Sequence, residues 1–428
     1  MADSTSDSGS VQSLQTEQVV EKKTESTTRF YALYSFYPQR IQSSDGTLPT
    51  EAQDNEDGSL SLNIVATNLT ASAETDLRKI LAQKLFKNIM QTKEGNFFSI
   101  RFSSMSSETL VPASCYYCQI ETASDSLDFD QVLTDDKEGS SSNDSQQFVV
   151  CFISFLDSTL YLFRPELEQY SQSLIPLLDK ELFVSPSSHA SSSDTSNSVV
   201  LPDQPVDQKE LSQLSTAIHS YLQQWPYNVL EYLTRTLQYT GSSVSHLIYS
   251  ALLNASLHIS GATSLQEEDV KRFYKCCNLS PLLEQLQSDI VSVTGSSDVS
   301  DLWQLQPVVV SVTFLPEQGV TFDKNYVCKF CESAADALTA MEATNVTKIR
   351  ELLETVKMRF VRNLNTLKRF LKQAEIDHYA LYRALSYLRK CGCGDLLLRY
   401  VKLDAGPDTL NVLTVLETFI RDVKLPLM

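Results

Sequence analysis

Between Ser185 and Ser198 the chain reads SPSSHASSSDTSNS, a run of small polar residues. Such a segment cannot bury enough apolar surface to offset the entropy of ordering it. It divides two kinds of hydrophobic pattern. Before it, apolar residues recur mainly at every second position, the period of strands; after it, at every third or fourth, the period of helices. The chain is therefore expected to be α+β, with a sheet and its helices first and a mainly helical region second.

In the first part, RFYALYSFY (29–37) and SLSLNIVAT (59–67) are aromatic or β-branched with partial alternation, and predict two strands. SAETDLRKILAQKLFKNIM (72–90) places Leu77, Ile80, Leu81 and Leu85 at helical spacing, with Ser72 as its N-cap. FFSIRF (97–102), SCYYCQI (114–120) and FVVCFISF (148–155) predict three further strands. YLFRPELEQYSQSLIPLLDKEL (161–182) predicts a second helix with Pro165 in its first turn. The order β-β-α-β-β-β-α fits an antiparallel sheet with helices, spanning 29–184, and resembles that of longin and roadblock-like domains. Residues 1–28 are expected to be a disordered acidic tail, the acidic stretch 121–147 a disordered loop, and 185–206 a linker. Over 207–428 the period predicts helices at 207–240, 244–260, 266–290, 326–343, 346–390, 395–403 and 408–423. PVVVSVTF (307–314) reads as a lone strand among them.

Charge narrows the function. The chain carries 35 Lys and Arg against 53 Asp and Glu, a net −18, which argues against a protein devoted to nucleic acid. The balance is uneven: between Asn345 and Asp404 there are thirteen basic and six acidic residues. The longest apolar runs stop near nine residues, whereas a spanning helix needs about 20. The first residues lack the apolar stretch of a signal peptide. A soluble, cytosolic chain is expected, with its nine cysteines as thiols.

Candidate sites concentrate in one segment. Leu364, Leu367, Leu371, Ala374, His378, Leu381, Leu385 and Leu388 alternate steps of three and four, a heptad seam on one long helix. His378 takes a seam position and reads as structural, with a pH-sensitive interface as the alternative. It lies about 20 Å along that helix from Cys391, too far to act as the base of a nucleophile. Gly392 can close the helix and Asp395 cap the next. Arg362, Arg369, Arg383 and Lys390 recur every seven positions opposite the seam, with Ile376 interrupting the stripe. That face is either solvated or docks an acidic protein surface or anionic lipid. The seam residues Leu371, Leu381 and Leu385 are expected to pack on the chain's own helices or on a partner.

Two CxxC pairs, Cys115–Cys118 and Cys328–Cys331, raise structural zinc. The first pair sits in a strand, where residues three apart face opposite ways, and the second shows no companion ligand nearby. Buried structural thiols are the expectation, with no metal and no cofactor. Walker, GxGxxG, HExxH and GxSxG signatures are missing, and no catalytic residues are assigned. An unrecognised small hydrolase and a peripheral lipid-binding module acting through the basic helix remain as alternatives.

The segment NTLKRFLKQAEIDHYALYRALSYLRKCGCGDLLLRYVKLD (365–404) closely resembles the C-terminal helix and turn of the Njmu-R1 family. FYALYSFYPQR (30–40), SLSLNIVATNL (59–69), SCYYCQI, FVVCFI (148–153) and LFRPELEQY (162–170) resemble the same family in the same order. The likeness is weak between about 185 and 340. The resemblance implies a non-enzymatic subunit of a three-part complex with a WDR-eleven-type β-propeller scaffold and a FAM-ninety-one-type subunit. It implies a place at the trans-Golgi network and cytoplasmic vesicles. There, with a TBC-domain adaptor, the complex helps golgins capture endosome-derived vesicles of the AP-one class. Membrane contact would be peripheral.

Overall fold

The computed structural model describes residues 29–37, 61–88, 95–103, 110–121, 147–155, 159–184, 208–279, 308–315, 319–341, 345–403 and 405–422. The tail 1–28, most of the acidic stretch 121–147, the linker 185–206 and the second half of the helix expected over 266–290 lie outside them.

The first part forms β1 (Arg29–Phe36), β2 (Asn63–Thr67), α1 (Ala71–Asn88), β3 (Asn96–Ser103), β4 (Leu110–Glu121) and β5 (Gln147–Phe155), the order expected from the sequence. Helix α1 begins one residue early, so Ser72 lies in its first turn and not at the cap. The strands make one sheet, β2-β1-β5-β4-β3, antiparallel throughout. Both faces are buried. Ala32, Tyr34 and Phe36 pack in a cluster with Leu77, Leu81 and Leu85 of α1. Tyr31 and Leu33, on the other face, join a larger core shared with the helices that follow. Alternation of side chains along each strand makes this two-sided packing possible.

Prolines set the next breaks. After a 3-10 turn at Leu160–Phe163, the helix expected over 161–182 divides into α2 (Arg164–Gln172) and α3 (Ile175–Val184). Pro176 has no N–H to continue the hydrogen-bond ladder across the division. Pro226 does the same in the helix expected over 207–240, which becomes α4 (Gln208–Gln223), a wide π turn at Pro226–Leu230 and α5 (Tyr232–Thr240). The helix expected over 244–260 stops at α6 (Val244–Leu252). Asn254 turns the backbone with φ 55°, and Ser256–Ser260 continues as strand β6.

Helix α7 (Ser264–Cys277) starts with a reciprocal cap between Thr263 and Gln266. Strand β7 (Val309–Leu315) is not alone, as the sequence suggested. It pairs in parallel with β6 and antiparallel with β8 (Gly319–Phe322). Helix α8 (Lys329–Thr339) follows. The single helix expected over 346–390 is two: α9 (Val346–Ala374) and α10 (His378–Lys390). Helices α11 (Gly394–Leu403) and α12 (Pro407–Asp422) complete the described chain.

One apolar core runs from the α2–α3 face of the sheet through α4 to α12 and includes Trp225, Phe273, Phe360 and Leu416. A buried polar contact sits inside it. Arg350 of α9 donates to Glu166 of α2, to the Tyr232 hydroxyl of α5 and to the Cys276 sulfur of α7. Four elements far apart in sequence therefore converge on one guanidinium, whose five donors in a planar fork suit that task.

Candidate interaction surface

The heptad seam folds back on itself. The chain leaves the helix after Ala374, turns at Glu375–Asp377, and returns as α10 packed against α9. Asp377 drives the restart: its carboxylate accepts the Tyr379 N–H at 2.9 Å and caps α10. Leu367 and Leu371 of α9 and Ala384 and Leu388 of α10 are fully buried in the common core. Leu381 and Leu385 are half-buried against it. The seam thus packs on the chain's own helices, and Leu371 presents no surface. His378 is corrected from its seam position. It is the first residue of α10, beside the cap, and is exposed.

The basic stripe also divides. Arg362 and Arg369 lie on α9, Arg383 and Lys390 on α10, and all four are exposed. Arg383 stacks its guanidinium 4.8 Å from the centre of the Phe370 ring, across the hairpin. Three residues the sequence reading did not nominate share the exposed tip. Ile376 is 92% exposed, Tyr379 66% and Tyr382 63%. The two tyrosine rings stand 6.3 Å apart. The start of α12 is tied to the same turn, where the Thr409 hydroxyl donates to Glu375 at 2.6 Å. The signal was present in Ile376, an apolar residue out of step with the seam at the point where the helix ends.

The cysteines separate by location. Cys115 and Cys118 point into the two different cores on opposite faces of the sheet, as their spacing requires. Cys328 and Cys331 are buried at the start of α8, against the turn that follows α10. The CGC turn after α10 packs on the start of α8, where the Cys328 thiol and the Phe330 N–H both donate to the Gly392 carbonyl at 3.2 Å. Gly392 has φ 75°, the left-handed closure anticipated for the helix end. Asp395 lies within the first turn of α11, not at its cap, and accepts from the Tyr249 hydroxyl. The Cys391 thiol donates to the Leu388 carbonyl at 3.3 Å; the neighbouring Cys393 holds it below its usual range, while Cys393 itself is pushed far up. Among the described residues, no three His, Cys, Asp or Glu side chains are gathered to hold a metal ion.

A shallow recess of about 280 Å³ lies between α6 and α8, lined by Ser242, Ser243, Ser245, His246, Glu332 and Asp336. Burial lowers the His246 pKa, with Glu332 opposing. The Ser245 hydroxyl donates to the Ser242 carbonyl at 3.2 Å, so the nucleophile-to-base contact that serine chemistry needs is not formed by that pair.

No helix among the described residues is long and apolar enough to cross a membrane. A profile described as the Njmu-R1-like protein family matches residues 31–191 and 199–422. Protein Njmu-R1 of Mus musculus is 27% identical over 406 residues, covering 92% of this chain and 90% of that protein. With the match reaching across the sheet, the common core and the hairpin alike, the chain belongs to the Njmu-R1-like protein family.

Proposed function

We propose that this chain is a non-enzymatic adaptor subunit that works by contact. In this reading it joins a WDR-eleven-type β-propeller scaffold and a FAM-ninety-one-type subunit at the trans-Golgi network. With a TBC-domain adaptor, the assembly supports golgin capture of AP-one-type endosome-derived vesicles. Family membership over most of the chain supports the assignment. The observation that carries the contact mechanism is the hairpin tip, where Ile376, Tyr379 and Tyr382 stand in solvent near Arg369 and Arg383, which have no carboxylate partner among the described residues. Aromatic residues and Arg are the side chains that anchor interfaces. A stable contact of roughly 1,200–2,000 Å² in total requires more surface than the tip alone. The exposed outer faces of α9 and α10, with Arg362 and Lys390, extend it.

The test is affinity purification of the tagged full chain from its own cells, followed by size separation and mass spectrometry. Co-migration with a β-propeller protein and a second subunit in constant ratio is expected. Recovery of the chain as a lone monomer overturns the reading.

A further inference from the structure

We infer that the hairpin tip is the anchor of a protein interface, and that the partner presents carboxylates around an apolar recess. The inference rests on the contact reading above and names the chemistry of what binds. Among the described residues Ile376 is the most exposed of the large apolar side chains, and Tyr379 and Tyr382 follow within seven positions of chain. A solvated hydrophobic cluster of this kind marks an interaction site more often than a lone exposed residue does. The two phenols add area at small entropic cost, since each has only two side-chain torsions to fix.

The surrounding charge selects the partner. Glu375 and Asp377, the tip's own carboxylates, are already engaged. Glu375 pairs with Lys372 at 2.8 Å and accepts from Thr409, and Asp377 caps α10. Among the described residues, Arg369 and Arg383 have no carboxylate partner, and Arg383 is held in place by the Phe370 ring. A fixed guanidinium at the rim of an apolar anchor matches a carboxylate, which it can bind through two parallel hydrogen bonds. A membrane is the poorer fit. Lipid-binding basic segments gather about four to eight Lys and Arg in one run, whereas the basic residues of α9 and α10 are split by Glu375 and Asp377 at the tip itself, and Lys372 is already paired with Glu375. The apolar tip is also tyrosine-rich, not a broad aliphatic face.

The experiment uses the full chain in its own cells, with the photo-reactive substitution Tyr382→benzoylphenylalanine. Irradiation is expected to join the tip to one protein, at a peptide containing several Asp or Glu. The paired variants Tyr379→Ala/Tyr382→Ala and Arg369→Glu/Arg383→Glu each alter only exposed side chains. Each is expected to reduce recovery of that protein about tenfold or more. Reversing the crosslinked acidic residues to Arg should restore recovery with the Glu variant. If wild type and both variants recover the same partners equally, the anchor is elsewhere and the adaptor reading stands. If the wild-type chain recovers no partner, both fail together. A crosslink to a peptide without acidic residues overturns the charge argument. Crosslinking to lipid, with sedimentation of the wild-type chain on phosphatidylserine vesicles, overturns the protein assignment.

Discussion

The Arg350 guanidinium stands 3.0 Å from the Glu166 carboxylate, although 184 positions separate them in sequence. The Tyr232 hydroxyl donates to the same carboxylate oxygen at 2.9 Å. Burial pushes the Cys276 thiol up to about 11, so the sulfur facing Arg350 is neutral. The arginine therefore has one close full charge to balance it, with Glu354 further out at 3.4 Å. Replacing Arg350→Met should strand Glu166 in the interior and cost about 3–5 kcal/mol. Urea denaturation measures this. The double variant Arg350→Met/Glu166→Gln should recover part of the loss, and a single-variant cost below about 1 kcal/mol would mean the pair is dispensable.

Gly392 couples two segments through its backbone. At φ 75° a side chain is strained, and a Cβ there would meet the Phe330 nitrogen at 3.1 Å. Gly392→Ala should destabilise the protein by about 1–2 kcal/mol from the left-handed conformation alone, and lower the Tm. Gly406→Ala, whose Cβ would meet nothing within 4 Å, is the control and should leave the Tm nearly unchanged.

Thiol chemistry should follow exposure and pKa together. Cys391 is half-buried and its thiol is held low, first by Cys393 and then by backbone N–H groups. Brief iodoacetamide treatment of the native protein, read by peptide mass spectrometry, should modify Cys391 first. Cys151 and Cys393, fully buried and pushed up, should react only after unfolding. Because the thiolate is the nucleophile, the Cys391 rate should rise through a pH below about 8.5, the ordinary thiol value. Uniform labelling of the nine cysteines would contradict the structure.

His246 gives a pH dependence of defined sign. Burial lowers its folded pKa below the ordinary imidazole value of about 6.5, so the unfolded chain binds its proton more readily. Stability contributed by the neutral imidazole is present above that value and falls as pH drops through the window beneath it. His246→Gln should flatten this part of the stability profile between pH 7 and 5, measured as the difference from wild type. An unchanged slope would show that the imidazole stays neutral in both states or ionises freely in both.

The sheet was readable because its strands keep their period. Cys115 and Cys118, three apart in β4, landed on opposite faces as alternation demands. The hairpin was not, because the three-and-four spacing continues through the turn: Ala374, His378 and Leu381 keep step in sequence while the backbone reverses between them. Only Ile376 and the capping Asp377 betray the break. SLHIS at 256–260 is too short to declare a period, and its strand exists because β7, fifty residues later, offers a parallel edge. The neighbours of Cys328 were hidden for the same reason, since Gly392 lies 64 positions away. Packing between distant segments decided the short strand and the neighbours of Cys328, and no local pattern reports either.

The strand order has a consequence during synthesis. β1 lies between β2 and β5, and β5 leaves the ribosome about 110 residues after β1. At 5–20 residues per second that gap lasts roughly 6–22 s. Throughout it the aromatic strand Phe30–Phe36 has one unsatisfied edge in a nascent polypeptide. The interval is a window for strand mispairing, and it closes before the α9–α10 hairpin has been synthesised.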